Sequence, residues 1–426
     1  MKKQLQIFLD FLRFCIGSAK EIPDSLKEVD WKEQYAIAKK QCLVGVLFDG
    51  IKRLPAEHVG MKKELLLQWM AESQMLEKTN VRLNDAAIQV SEWFRKKGFR
   101  TCVLKGQGNA LRYPNPYSRT PGDIDIWVEG GDKRVISFVR SISPHEKACY
   151  HHIEFPSYKG VEVEVHYRPS FLLCFWHNRK LQKYYERVKE EQFLHRVMLG
   201  AKGEIAIPTA EFNLIFQLTH IFSHLMNEGI GLRQLLDYFF VLKNTDFIGN
   251  TNGVSGNTNG GASFANTNCT DNTNKIGGNA DGDGFLLNTD FTDNTDRIGG
   301  NVDGDGFLVN TDLTDRRLLQ DELRRLGLWK FAGAVMYIMQ EVFGMPAYRL
   351  IVPPHEKYGK FVLNEVLEAG NFGKHDARNR FGRSQFGHNL QRVYRDIRLV
   401  RYFPAEALSE PIFRTWHFFW RCYQKM

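Results

Sequence analysis

The chain has 426 residues, 43% hydrophobic and 13% aromatic, enough for two or three packed cores, and no apolar run approaches the roughly 18–20 residues needed to cross a bilayer. Seven scattered cysteines, odd in number and never spaced CxxC, argue against a disulfide scaffold or a zinc knuckle and for a reducing compartment. The formal charge is +8, but residues 244–315 carry eleven aspartates against Lys275 and Arg297, a net of −9, which leaves +17 on the rest. A body that basic suits a phosphate-bearing or polyanionic ligand, and equally suits plain solvated helices.

Residues 1–98 place apolar side chains at three- and four-residue intervals, as in "KKELLLQWMAESQMLEKTNVRLNDAAIQVSEWFRKKG", and predict an N-terminal helical segment. Asp10 and Arg13 interrupt any signal-peptide core, so a cytoplasmic location is expected. The chemistry changes at "FRTCVLKG" (99–106), a β-rich run ending in glycine. A short helix "QGNALRY", a proline-broken loop "PNPYSRTPG" and the strand "DIDIWVE" follow, then a helix over 132–143. Two more strands, "HHIEFPSY" and "VEVEVHYR", hinge on Lys159 and Gly160, and from about 176 the pattern reads as helix to the end.

Within "DIDIWVE" the strand period of two puts Asp123 and Asp125 on one face and Ile124 and Ile126 on the other. Adjacent like charges repel, so something positive is expected between them, and replacing either aspartate should relieve the repulsion. A carboxylate pair on one strand face is what two magnesium ions need, with a third carboxylate on a neighbouring strand. "VEVEVHYRP" offers Glu162, Glu164 and His166 on one face against Val161, Val163 and Val165 on the other. The turn "VLKGQGNALR" joins a strand to a helix through glycines, where free backbone N–H groups favour an anion; Lys105 and Arg119 add charge.

Farther on, His220 and His224 lie four apart on one helical face, as do Arg233 and Asp237. These spacings suit a core histidine pair and a surface ion pair as readily as a pocket. Residues 244–315 contain "IGGNADGDGFLLNTDFTD" at 276 and "IGGNVDGDGFLVNTDLTD" at 298, a 22-residue repeat differing at three of eighteen positions. Such near-identity at apolar and polar positions alike suggests a young duplication, and the composition predicts a flexible insert splitting one helical region. Asn279, Asp281, Asp283, Gly284 and Asp290, repeated as Asn301, Asp303, Asp305, Gly306 and Asp312, follow calcium-loop spacing and resemble dockerin-type loops. Against that reading, position one is Asn, "IGG" replaces the preceding helix, and no bidentate Glu closes the loop. The aromatic tail "RTWHFFWRCYQ" is expected to close the helical core, with base stacking as the alternative.

"LKG", then an arginine and "GDIDIWV", then "VEVHY" resemble the DNA polymerase β-type nucleotidyltransferase superfamily. They are most similar to its bacterial branch of largely uncharacterised nucleotidyltransferases. The match covers residues 99–170, and "THIFSHLMNEGIGLRQLLDYFFVL" is similar to that branch's helical His, Arg and Asp positions. Lys105-Gly106 replaces the superfamily's usual glycine-serine pair, and the spacing from Gly106 to Asp123 is long.

The resemblance implies an α+β fold: a small mixed-sheet palm (99–175) between an N-terminal helical segment (1–98) and a helical C-terminal domain (176–426) that the 244–315 insert interrupts. It implies a magnesium-dependent nucleotidyltransferase that moves a nucleoside monophosphate from a triphosphate, ATP being the expected one, to an acceptor hydroxyl with release of pyrophosphate. Asp123, Asp125 and Glu164 would be the catalytic and metal-holding carboxylates for two magnesium ions, with Glu162 the alternative third. Lys105, Gly106, Arg119 and Gly122 would grip the triphosphate, and His166, His220, His224, Arg233 and Asp237 would line the substrate pocket. The acceptor stays open between a small molecule, a protein and an RNA. Two other readings remain: a nucleotide- or RNA-binding module without turnover, and an interaction protein whose insert is the working part. Three retained, mutually repelling carboxylates speak against the first, and the young duplication with poor loop flanks against the second.

Overall fold

A computed structural model describes residues 3–200, 203–248, 313–376, 378 and 385–423. It is mixed α+β and predominantly helical. Helices α1 (Lys3–Cys15), α2 (Trp31–Gln41), α3 (Val44–Ile51) and α4 (Lys63–Lys96) lead into β1 (Thr101–Val103), α5 (Gln107–Ala110), β2 (Ile124–Val128) and α6 (Gly131–Ile142). Then come β3 (His152–Tyr158), β4 (Val161–His166), α7 (Phe175–Leu194), β5 (Arg196–Met198), β6 (Glu204–Ala206), α8 (Ala210–Asn227) and α9 (Leu232–Lys243). The described chain finishes with β7 (Asp246–Ile248), β8 (Leu313–Asp315), α10 (Arg316–Arg325), α11 (Trp329–Glu341), α12 (Glu356–Ala369), α13 (Gln385–Val400) and α14 (Pro404–Tyr423).

Alternation of side chains builds the sheet, whose order is β1-β2-β4-β3. β2 runs antiparallel to β1 and parallel to β4, with Asp125 opposite Glu164 and Trp127 opposite His166. β3 and β4 form a hairpin through Lys159 (φ +51°) and Gly160 (φ +75°), the left-handed pair a two-residue turn requires. Ile124, Ile126 and Val128 join Val163 and Val165 in a core with Leu83, Val90 and Phe94 of α4 and Val135 and Val139 of α6. The opposite face carries the carboxylates and Trp127, whose ring packs on Phe193 and Phe212 of α7 and α8. Both faces are thus covered, so polar groups between sheet and α8 are enclosed.

A second and larger core joins the N-terminal helices to those after the sheet: Phe8, Phe11 and Leu47 share one cluster with Phe216, Leu235 and Phe331. α8 and α9 lie inside it and are buried nearly all round. The expectation of helix throughout after 176 misses the strand pairs β5–β6 and β7–β8. At three residues each they are too short to show a period. The aromatic tail closes the core only in part: Trp420 packs against the sheet core, but Trp416, Phe418 and Phe419 are 46%, 54% and 66% exposed. Among the described residues no helix is long and apolar enough to cross a membrane.

Both calcium-like loops, and all of the repeats but residues 313–315, fall outside the described residues, but the insert's expected edges do not. β7 and β8 pair in parallel, Phe247 opposite Thr314, and Asp315 caps α10 by accepting from the backbone N–H of Arg317 (2.8 Å) and Leu318 (3.3 Å). A deletion should therefore join Ile248 to Leu313, not Lys243 to Arg316. Parallel strands need a crossover of about a dozen residues, so a Gly/Ser bridge of that length should leave the melting temperature unchanged, since loop-closure entropy varies slowly with length. A lower melting temperature would show that the repeats pack on the body. A calcium-dependent rise seen only in the full chain would support the calcium-loop reading.

Candidate active site

β2 and β4 lie side by side in the middle of the sheet, and their register places Asp125 against Glu164. Asp123 stands just before β2, and oxygens of Asp123, Asp125 and Glu164 all lie within 4.8 Å of one another. Three hard oxygen donors that close fit magnesium or a similar cation. Glu162, two residues earlier on the same strand face, is exposed and outside this cluster.

Two cations of the protein hold the cluster together. Lys105 Nζ donates to Asp125 Oδ1 (2.8 Å), and His166 Nε2 donates to the same oxygen (3.0 Å) while standing 3.4 Å from Glu164 Oε2. Burial works against the charge of His166, but its bonds to Asp125 and Glu164 outweigh that and raise it to about 9. Burial also opposes the ionised Asp125, yet Lys105 and His166 keep it well below the usual carboxylate range. Asp123 lacks such partners; the charge on Asp125, with burial, lifts it to about 6. Lys105 and the His166 imidazolium are therefore the positive charge that the paired aspartates call for. His166 lies under the carboxylates at 1% exposure as a bridge between them, not on a pocket wall.

Lys105 ends the run after β1, and Gly106 takes φ +56° to start α5, a conformation L side chains rarely adopt. Lys105, Gly106, Arg119, Gly122, Asp123, Asp125, His220, Arg233 and Asp237 all line one cleft between sheet and α8. Two expected roles change. Arg119 is 4% exposed and makes a bidentate pair with Asp237, Nε to Oδ1 at 2.7 Å and Nη2 to Oδ2 at 2.8 Å. Like Lys105 it is held by a carboxylate, so a phosphate contact would require it to exchange that partner. Arg233 does not take Asp237 as its i,i+4 partner, because Arg119 already holds both oxygens. Its Nη1 donates to the Thr120 carbonyl (3.2 Å), its Nε makes no hydrogen bond, and the guanidinium lies 5.5 Å from the Phe372 ring centre.

His220 accepts from Lys105 Nζ at Nε2 (3.1 Å), and burial foremost, then Lys105, keeps it well below its usual range and neutral. His224 packs edge-on against it, with ring centres 4.3 Å apart, and stands 3.4 Å from Glu228; it lines a neighbouring cavity rather than this cleft. Asn109, Gln217 and Phe372 also line the cleft and were not anticipated. Asn213 and Gln217 both donate to Asn109 Oδ1 (3.1 Å each). A signal for them does exist: Asn213, Gln217, His220 and His224 recur at spacings of four, three and four along a largely buried helix. Phe372 comes from a distant loop and left none.

The cleft is narrow, about 40 Å³, little more than one water's share of about 30 Å³. It continues past Gly122, Asp123, Arg233 and Phe372 into a wider cleft of about 590 Å³ that Arg82 and Lys374 also line. Through His220 it adjoins the cavity that His224 lines.

A family model described as "Uncharacterised nucleotidyltransferase" matches residues 27–252, just over half of the chain. The matched span takes in α2, α3 and α4 before the sheet, the four strands of the sheet, and α8 and α9 after it. No curated protein and no solved structure matches.

Proposed function

The chain belongs to the uncharacterised nucleotidyltransferase family, and from that premise we propose that it transfers a nucleoside monophosphate from a magnesium-bound triphosphate, with ATP the first to test, to an acceptor hydroxyl. The observation that carries this reading is the Asp123, Asp125 and Glu164 cluster on adjacent parallel strands. When bound to these carboxylates, magnesium supplies positive charge against the α-phosphate and the departing pyrophosphate.

The protein's own groups do the rest. The acceptor oxygen bonds to the α-phosphorus as the bond to the α–β bridging oxygen breaks, and that bond's electron pair leaves with pyrophosphate. A Glu164 carboxylate oxygen takes the hydroxyl proton, while His166 holds Glu164 and Asp125 in register. Lys105 exchanges Asp125 for a phosphate oxygen, which also widens the narrow cleft. The wider cleft, with Arg82, Arg233 and Lys374 on its walls, suits the rest of the nucleotide.

Incubation of the protein with magnesium, each labelled triphosphate and cell extract should release pyrophosphate and label an acceptor. Glu164→Gln should lower that rate about a hundredfold or more, the usual contribution of a positioned general base, and Glu162→Gln should leave most of it. The reverse order would move the third carboxylate to Glu162. Triphosphate binding without pyrophosphate release from any pool would instead identify a binding module.

A further inference from the structure

We propose that the cavity sharing His220 with the carboxylate cleft is the acceptor site, and that its acceptor is a small uncharged polyol or sugar. The inference rests on the nucleotidyl-transfer reading and adds the substrate class.

The cavity lies between α8 and the α13–α14 pair and measures about 200 Å³, room for roughly half a dozen waters at about 30 Å³ each. Its polar lining is incomplete within the protein. His151 Nδ1, His417 Nε2 and Glu410 Oε2 are buried there without a hydrogen bond, and Glu410 is only 2% exposed. Arg414 Nη2 stands 3.7 Å from Glu410 Oε2, too far for a hydrogen bond. Buried polar atoms without partners are costly; His151 and His417, which line the cavity, each carry one, while Glu410 is held by ion pairs of 3.7 Å to Arg392 and Arg414, and a ligand seated there would give these residues closer partners.

The chemistry of the walls selects the ligand. Glu228 and Glu410 offset Arg392 and Arg414, so the formal charge of the lining cancels. Burial holds His417 down to about 4, which keeps that ring neutral. A lining of mixed donors and acceptors with no net charge disfavours an anion or a polycation and suits hydroxyls, each both donor and acceptor. Phe171 and Phe413 stack with ring centres 5.2 Å apart and give the same cavity an apolar wall for the C–H face of a sugar ring. The contrast with the nucleotide side is one of charge: that wider cleft carries Arg82, Arg233 and Lys374 against Asp123 and Glu162. Asp123 and Asp125 line the narrow cleft that adjoins both, so an acceptor hydroxyl and a departing pyrophosphate have separate places.

The test uses the full chain, magnesium, each α-labelled triphosphate, and two acceptor pools from one cell extract, the dialysable fraction and the retained macromolecules. Label should enter dialysable products, and prior periodate oxidation of that fraction, which cleaves vicinal diols, should abolish it. His417→Phe, which keeps the ring but removes the unpaired nitrogen, and Arg414→Met should each raise the KM for the dialysable acceptor about tenfold. Magnesium–triphosphate affinity by calorimetry should match that of the wild type. Glu410→Gln should act in the same direction; it also relieves the repulsion of Asp396, which burial and then Glu410 push up to about 7, so that variant should fold. Label found only in protein or RNA, or an acceptor KM untouched by all three substitutions, overturns the proposal and leaves nucleotidyl transfer standing. Failure to bind the triphosphate or release pyrophosphate with either pool overturns both.

Discussion

Asp123→Asn and Asp125→Asn should both abolish nucleotidyl transfer, yet move the stability of the metal-free protein in opposite directions. Simple repulsion on one strand face predicts relief from either substitution. The partners of the two groups say otherwise. Asp125 is 3% exposed and accepts from both Lys105 and His166. Replacing it leaves a buried ammonium and an imidazolium short of a counter-charge, and breaking such a pair from one side costs about 3–5 kcal/mol. Glu164 and Asp123 remain nearby, so the lower end of that range is expected.

Asp123 has the opposite sign. Its carboxyl is raised to about 6 by Asp125 and by burial, while the unfolded chain titrates near 3.9. Between those values the folded state keeps a proton that the unfolded state has lost, so stability falls as pH rises through that window. Above pH about 6 the full penalty applies, about 3 kcal/mol. Asp123→Asn removes it, so that variant should be no more stable than wild type at pH 4 and more stable at pH 7. Chelator-treated melts of wild type and both variants across pH 4 to 8 decide the matter. Two variants that shift together would mean that Lys105 and His166 are not the counter-ions of this cluster.

Period-two alternation made the centre of the site legible in sequence. Asp123, Asp125 and Glu164 do converge, because alternating valines and isoleucines fix which face of each strand enters the core. Glu164 is in the cluster and Glu162 is not because parallel pairing sets Asp125 opposite Glu164, and that register is not written in either strand alone. Pairings between distant segments were less accessible still. Arg233 and Asp237 share a helix face, so the local rule joins them, but Arg119 arrives from 118 residues earlier with a better bidentate fit. His220 meets Lys105 across 115 residues. The short strands β5 to β8 have three residues each, too few for a period of two to show, and the exposed tail aromatics looked like core because composition does not say which face is covered.

The Arg119–Asp237 pair makes the last test, because it separates holding the site in shape from holding phosphate. The pair is buried on both sides, and Tyr113 donates a further bond to Asp237 Oδ1 (2.7 Å). Asn80 donates to the Arg119 carbonyl (2.8 Å), so this arginine anchors the loop that delivers Gly122 and Asp123. Asp237→Ala should be severe, about 3–5 kcal/mol, since it strands a buried guanidinium, and Arg233 beside it loses the same counter-charge. Arg119→Met should be milder, because Asp237 keeps the nearby charge of Arg233, which already helps hold it ionised. The double variant Arg119→Met/Asp237→Ala should regain much of what Asp237→Ala loses, giving a coupling energy well outside the few tenths expected of independent sites. Urea unfolding of the four proteins measures that coupling, and calorimetry of the folded double variant measures its magnesium–triphosphate affinity. Affinity near that of the wild type would place Arg119 in the scaffold. A tenfold or greater loss in a variant whose stability has recovered would return Arg119 to the phosphates, and the buried pair would then be a resting arrangement that substrate breaks.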